Sequence, residues 1–266
     1  MAAILAGWMV LYLTVLSGAV QAHRQASLYS GFREELANAT APLGGVVEHG
    51  SPVALLDFPA VGAGSLVVVE GTTSGDTAAG PGHRPDTVLP GQEGVSVIYG
   101  RQFAYGGPFG RLADARPGST FSVLTGQGTF VYRVDRVRRA GDPLPAPLAV
   151  GASRVTLVSA QPSPGFLGRW VPGSVVYLDA TLQGKSAPRQ AQAAAVPTAE
   201  QVMQGDPSVL PVVLLWLQGL ILAIAAGIWA WYRWGRPQTW IAAGGIALAM
   251  LWGLSGAATG LLPNLL

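Results

Sequence analysis

Hydrophobic and polar positions divide the chain into six stretches. Residues 1–22 carry no charge and include Leu5, Trp8, Val10, Leu13 and Leu16. About 20 apolar residues span a bilayer, so this stretch predicts an N-terminal anchor. Val20-Gln21-Ala22 also fits the small-x-small site of a cleaved signal peptide. The missing basic n-region and the long apolar run favour an uncleaved anchor. Residues 23–45 are polar and mixed and read as a stalk. Ser30 to Ala39 fits a short helix with Phe32 and Leu36 on one face, broken by Pro42-Leu43-Gly44-Gly45.

From 46 to 183 the pattern changes to short apolar runs between Gly and Pro turns. The runs are 53–58, 65–70, 95–99, 120–124, 129–137, 154–159 and 174–181. This rhythm predicts an all-β barrel or sandwich. The alternation is clearest where Phe130, Tyr132 and Val134 share one face and Val131, Arg133 and Asp135 the other. Residues 184–207 are rich in Ala, Gln and Pro with few large apolar side chains, which predicts a linker, with some helix near Ala191 to Ala195. Residues 208–233 and 237–262 are each long and apolar enough to cross a bilayer. Between them Arg233 and Arg236 stand among Trp229, Trp231 and Trp240, the signature of a cytoplasmic interfacial turn. With an N-terminal anchor starting inside, the three spans put the β-domain outside a multi-pass plasma-membrane protein. Gly256-Ala257-Ala258-Thr259-Gly260 offers a small-xxx-small face for helix packing.

Composition sharpens this picture in three ways. Only 11% of the 266 residues are charged, against roughly 25% in typical soluble domains, and the uncharged spans account for the deficit. The formal charge of +2 gives no basic footprint for nucleic acid. The absence of Cys excludes disulfides, thiolate metal sites and thiol catalysis, and the three His (His23, His49 and His83) are too scattered for a metal site. No metal or other cofactor is expected.

A set of short motifs then appears in order. Ala54-Leu55-Leu56-Asp57-Phe58-Pro59 and Val68-Val69-Glu70-Gly71-Thr72-Thr73 come first. Gly80-Pro81-Gly82-His83-Arg84-Pro85 and Leu89-Pro90-Gly91-Gln92-Glu93-Gly94 follow. Pro108-Phe109-Gly110-Arg111-Leu112 and Arg116-Pro117-Gly118-Ser119 come next, and Arg154-Val155-Thr156-Leu157-Val158-Ser159-Ala160 closes the series. Their order and spacing resemble the sortases, the cysteine transpeptidases of Gram-positive cell surfaces, and within them the actinobacterial class E. The resemblance covers most of 52–182 and implies an eight-stranded sortase β-barrel.

The same resemblance implies a degenerate, catalytically inactive homologue. Ala160 stands where the nucleophilic Cys would be, and Arg101 stands where the His would follow its strand. Arg169 matches the Arg that opens the final strand. Sortase-type acyl transfer needs a thiolate and a group that protonates the leaving amine. Ala160 supplies no nucleophile, and an Arg side chain does not exchange protons near neutral pH.

Ser159, next to Ala160, faces the opposite side of a strand and lacks a neighbouring base. His83, in a Gly/Pro turn, reads as structural. Arg101 and Arg169 together suggest an anionic ligand, a peptide carboxylate or a lipid phosphate. The plainer alternative has one of them in solvent or paired with an acid such as Asp114.

The expected function is therefore a non-catalytic scaffold or docking subunit of a larger cell-envelope complex. Its partners would be other membrane or cell-surface proteins, held through the barrel and the C-terminal helical hairpin. Two alternatives stand beside it. One is a peptide-binding module that keeps the sorting-signal groove, with Arg101, Arg169 and Ser159 as candidate ligand-binding residues. The other is an active sortase-like transpeptidase using non-Cys chemistry.

Overall fold

The apolar runs become strands of one closed sheet. The structure, a computed structural model, describes residues 2–163, 165, 168–170, 172–234 and 236–266, without the side chains of 2–6, 169, 172, 234 and 236–242. The strands are β1 (Pro52–Phe58), β2 (Ala63–Glu70), β3 (Gly82–His83), β4 (Gly94–Tyr99), β5 (Thr120–Thr125), β6 (Gly128–Arg139), β7 (Ser153–Pro162) and β8 (Pro172–Leu182). They close in the order β1-β2-β3-β4-β7-β8-β6-β5. Closure leaves no free sheet edge. Seven strands correspond to the seven apolar runs. The eighth, β3, is only two residues long, too short to show any periodicity.

The pleat sorts side chains as the alternation predicts. Phe130, Tyr132 and Val134 point inward and are buried, while Val131 between them is exposed. Phe121 stacks between Phe58 at 4.8 Å and Tyr132 at 5.5 Å between ring centroids. Leu56, Ile98, Leu157 and Leu178 are fully enclosed in the same core. The Tyr132 hydroxyl accepts from the Gly91 N–H at 2.6 Å and shares a hydrogen bond with Ser153 Oγ at 3.1 Å. Its polar tip is thus satisfied inside the barrel.

The segment before the barrel differs from the expected anchor and separate stalk. Helices α1 (Ala2–Leu11) and α2 (Ser17–Ala37) run on through a π-helical turn, Tyr12–Leu16. Residues 12–32 lie on the barrel, with Tyr12, Leu13, Ser17, Gln21 and Phe32 buried. The Gln25 amide takes the N–H of Val67 at 2.8 Å and donates to the carbonyls of Val67 and Ala79. Polar residues that read as a solvated stalk therefore serve as hydrogen-bonding contacts to β2 and the α3 (Ser74–Ala79) turn.

The stretch 184–207, expected as a linker with some helix, also differs. Up to Gln204 it lies along the barrel, and residues 191–195 are not helical. The Ala187 N–H donates to Gly91 O, the Glu93 N–H to Ala187 O, and the Ala193 N–H to Pro85 O. Few large apolar side chains are needed, because the backbone groups of the barrel loops hold it.

A second compact unit covers Gly205–Leu262. It contains α4 (Leu210–Trp234) and α5 (Arg236–Ala258), which pack on each other. Pro207–Arg233 and Ala243–Leu261 are long and apolar enough to cross a membrane, and among the described residues they alone meet that measure. Their close approach uses Gly219 against Met250, Gly227 against Ala243 and Gly253 against the Trp216 ring. Large side chains such as Leu215, Leu222, Ile228 and Trp229 point outward, as lipid-facing residues do.

Candidate functional site

The site is built where the pairing of two parallel neighbours stops. β4 and β7 pair in parallel with Tyr99 opposite Val158, and the Gly100 N–H continues the ladder to Val158 O at 2.9 Å. Arg101 and Ala160 each stand two residues beyond that matched pair. Arg101 thus opens the loop after β4, while Ala160 lies on β7 just past its last pair with β4. Gly100 makes the turn possible, since a Cβ there would collide with the Phe109 ring. The Arg101 carbonyl then accepts from the Phe109 N–H, so the following loop folds back over the strand end.

Ala160 faces out of the barrel. It packs with Tyr99, Val158 and Leu265, flanked by Val97, Val175, Tyr177, Val202 and Met203. Ser159 points the other way, into the barrel wall, opposite the core residue Val176. It is fully buried and its hydroxyl has no hydrogen-bond partner among the described residues. Ser159 is thus on the wrong side of β7 to meet a molecule lying over Ala160.

Arg101 is neither in solvent nor paired with Asp114. Its side chain is 0% exposed. Nη2 donates to Ser74 O at 2.8 Å and Ser74 Oγ at 2.6 Å, and the guanidinium lies 5.1 Å from the Tyr105 ring centroid. Nε and Nη1 have no hydrogen-bond partner among the described residues. Asp114 instead lies 3.5 Å from Arg111. Burial pulls the Arg101 guanidinium down to about 10, so it is still charged at neutral pH. Tyr105 sits at a φ of 53° and donates its N–H to Ser17 Oγ, which ties this loop to α2. The backbone of Arg169 lies in a 3-10 turn, Gly168–Trp170, whose Trp170 meets Phe103 edge-on at 4.9 Å. The Arg169 side chain lies outside the described residues, so the expected pairing of two guanidinium groups does not enter the site's geometry.

The outer face of β4, β7 and β8 forms a groove with a cavity of about 390 Å³. Arg84, Arg138 and Arg154 line it with Tyr99, Thr156 and Tyr177. Two of these cations are balanced: Arg84 by Asp86 at 2.8 Å and Arg138 by Asp179 at 2.7 Å. Thr156 Oγ1 donates to the same Asp179 carboxylate. That carboxylate is bonded by Arg138 and Thr156 together, so the Thr156–Asp179 contact reads as part of the wall's hydrogen bonding. Arg101 does not line this cavity.

Two histidines take structural places. His83 Nδ1 lies 2.8 Å from Glu70 Oε2, both buried, and Nε2 lies 2.9 Å from Val88 O. His49 bridges Asp76 at 3.3 Å and Glu200 at 3.5 Å. Glu200 also accepts from Thr72 N–H and Oγ1. Burial pushes its carboxyl above the usual range, opposed by His49 and the Thr72 hydrogen bonds. Composition alone did not mark Glu200, which stands in the stretch read as a linker.

Comparisons with known proteins find relatives of the barrel. Residues 56–171 match the family model of the sortase domain. Sortase D of Bacillus subtilis (strain 168) is 29% identical over 91 residues, 34% of this chain and 44% of that protein, so the match spans less than half of the relative's length. The Clostridium perfringens sortase D5 transpeptidase is similar in structure, with a TM-score of 0.50 and 19% identity over 61% of this chain and 99% of that one. A sortase E variant from Streptomyces avermitilis gives a TM-score of 0.42 and 24% identity, over 58% of this chain and all of that one. The matched domain and the shared closed barrel support the sortase family for this part of the chain.

Proposed function

We propose that this protein is a non-catalytic, sortase-like subunit, related to the class E form. In this reading its barrel stands outside the plasma membrane and serves as a scaffold or docking module of a cell-envelope complex. One observation supports it above the others. At the paired ends of β4 and β7, acyl transfer needs a thiolate beside a proton-transferring group, and the residues there are Ala160 and a buried Arg101. The helical hairpin supports the partner part of the reading. Two apolar helices beyond the N-terminal segment are more than a tether needs, and in lipid such helices gain stability by packing on others.

The peptide-binding alternative keeps one supporting observation, the open groove lined by Arg84, Arg138 and Arg154. An enzyme using Ser159 has none, given the direction of that side chain.

Purification of the full chain from its native membrane in mild detergent tests the docking role. The expected result is a stoichiometric membrane protein partner that is lost when the outward apolar face of α4 is changed, for example by Leu215→Ser with Leu222→Ser. A monodisperse single species from native membranes would contradict it.

A further inference from the structure

A second groove, over Ala160 and apart from the cavity that Arg84, Arg138 and Arg154 line, already holds a piece of chain. Residues Pro263–Leu266 belong to the same compact unit as the barrel. The Gln102 N–H donates to Leu265 O at 2.9 Å, and the Ala104 N–H donates to Leu266 O at 2.9 Å. These are the amides of the loop that follows Arg101. Leu265 is 0% exposed and packs on Tyr99, Val158 and Ala160, and Ala160 is left only 3% exposed.

Asn264 fixes the segment from the side. Its Nδ2 donates to Thr72 O at 2.7 Å and Gln201 O at 2.9 Å, and its Oδ1 accepts from the Met203 N–H at 3.0 Å. Its own N–H donates to Gln204 O. Every polar group of the buried Asn264 amide is thus used.

We infer that this groove is a socket for the chain's own residues 263–266, held as an intramolecular ligand that shuts out other peptides. The chemistry recognised is an extended segment with one buried leucine and one buried amide. A short apolar run joined to a helix gives no such specificity. Thr72 of the barrel and Gln201 and Met203 of the segment lying along it supply three directional contacts to the Asn264 side chain, and the loop after Arg101 supplies main-chain donors at two successive carbonyls. Attachment also makes its binding intramolecular, which puts a free peptide at a disadvantage. The inference stands whether or not the barrel docks a partner, because it concerns what fills the groove.

The absence of Cys from the chain provides the test. Ala160→Cys introduces a single thiol under Leu265, and Ala149→Cys introduces one on the exposed loop before β7. In the full chain in mild detergent, a maleimide should label the Ala160→Cys thiol at least ~100-fold more slowly than the Ala149→Cys thiol, since labelling requires local opening. Adding Leu265→Gly, or the milder Asn264→Ala, should speed labelling of the Ala160→Cys thiol by ~10-fold or more. Near-UV circular dichroism identifies which of the two keeps the fold. A synthetic peptide Leu-Leu-Pro-Asn-Leu-Leu at millimolar concentration should then slow the labelling again. Equal rates for the two single-thiol proteins would overturn the inference. So would a protected thiol that neither second substitution exposes, or an exposed thiol that the peptide fails to protect.

Discussion

Replacing His83 with alanine should destabilise the barrel by about 3–5 kcal/mol, the range for removing one partner of a buried ion pair. For a domain of this size that corresponds to a fall of roughly 10–15 °C in thermal midpoint. His83 is one of only two residues in β3, which joins β2 to β4 and so completes the closed sheet. Its register partner on β2 is Glu70, the same residue its side chain meets. Nε2 faces the Val88 carbonyl, which can only accept, so that nitrogen carries a hydrogen, and Nδ1 faces Glu70. Alanine would leave the Glu70 carboxyl buried at 3% exposure with its main partner gone. Glu70→Gln, which keeps a hydrogen bond to the ring, should cost less, about 1–2 kcal/mol. Thermal unfolding of the full chain in detergent, followed by near-UV circular dichroism, checks both values. A loss under about 1 kcal/mol for His83→Ala would show that the pair holds nothing together.

Arg101→Met should act in the opposite direction and raise stability by about 1–3 kcal/mol. Replacing buried ionic groups with apolar residues of similar volume is often neutral or stabilising by 1–4 kcal/mol. The guanidinium is fully enclosed and has no carboxylate within ion-pairing distance among the described residues, with two of its nitrogens, Nε and Nη1, unbonded there. Its hydrogen bonds to Ser74 and its contact with Tyr105 offset only part of that burial. The pH dependence follows from the lowered value. The folded state holds this proton less tightly than the unfolded chain, so the penalty is full below about pH 10 and fades as pH rises through it. The gain from Arg101→Met should therefore be complete at neutral pH and shrink in strong base. A loss of stability at neutral pH would show that the charge is compensated, and would favour the anionic ligand that the two relic arginines suggested.

Much of the barrel was legible because burial imposes period two on each strand. Residues 129–134 alternate in the sequence and point in and out of the wall accordingly. β3 was not legible, since two residues carry no period and a Gly-Pro turn surrounds them. That Arg101 follows β4 and Ala160 lies late on β7 could be read from motif order, because each motif belongs to one strand of the series. That Arg101 is swallowed by the loop it begins was not readable, since it depends on Phe109 folding back onto Gly100. Leu265 was hidden for a different reason. It follows an apolar helix and reads as more of the same, and only the barrel's amides distinguish it. Residues 184–204 misled in reverse. They lack the apolar side chains that signal a packed segment, yet their main chain bonds to Gly91, Glu93 and Pro85. Gln25 belongs with them, because its amide reads as solvated until it meets the main chain of Val67.

The proposed sortase-type barrel without sortase chemistry is tested by a peptide-joining assay. Purified full-length protein is incubated with a Pro-containing substrate peptide and an amine acceptor, and mass spectrometry follows the joined product and any acyl–protein adduct. A non-catalytic barrel gives neither species above the protein-free control. Joined product that disappears when a single side chain of this protein is replaced would contradict it.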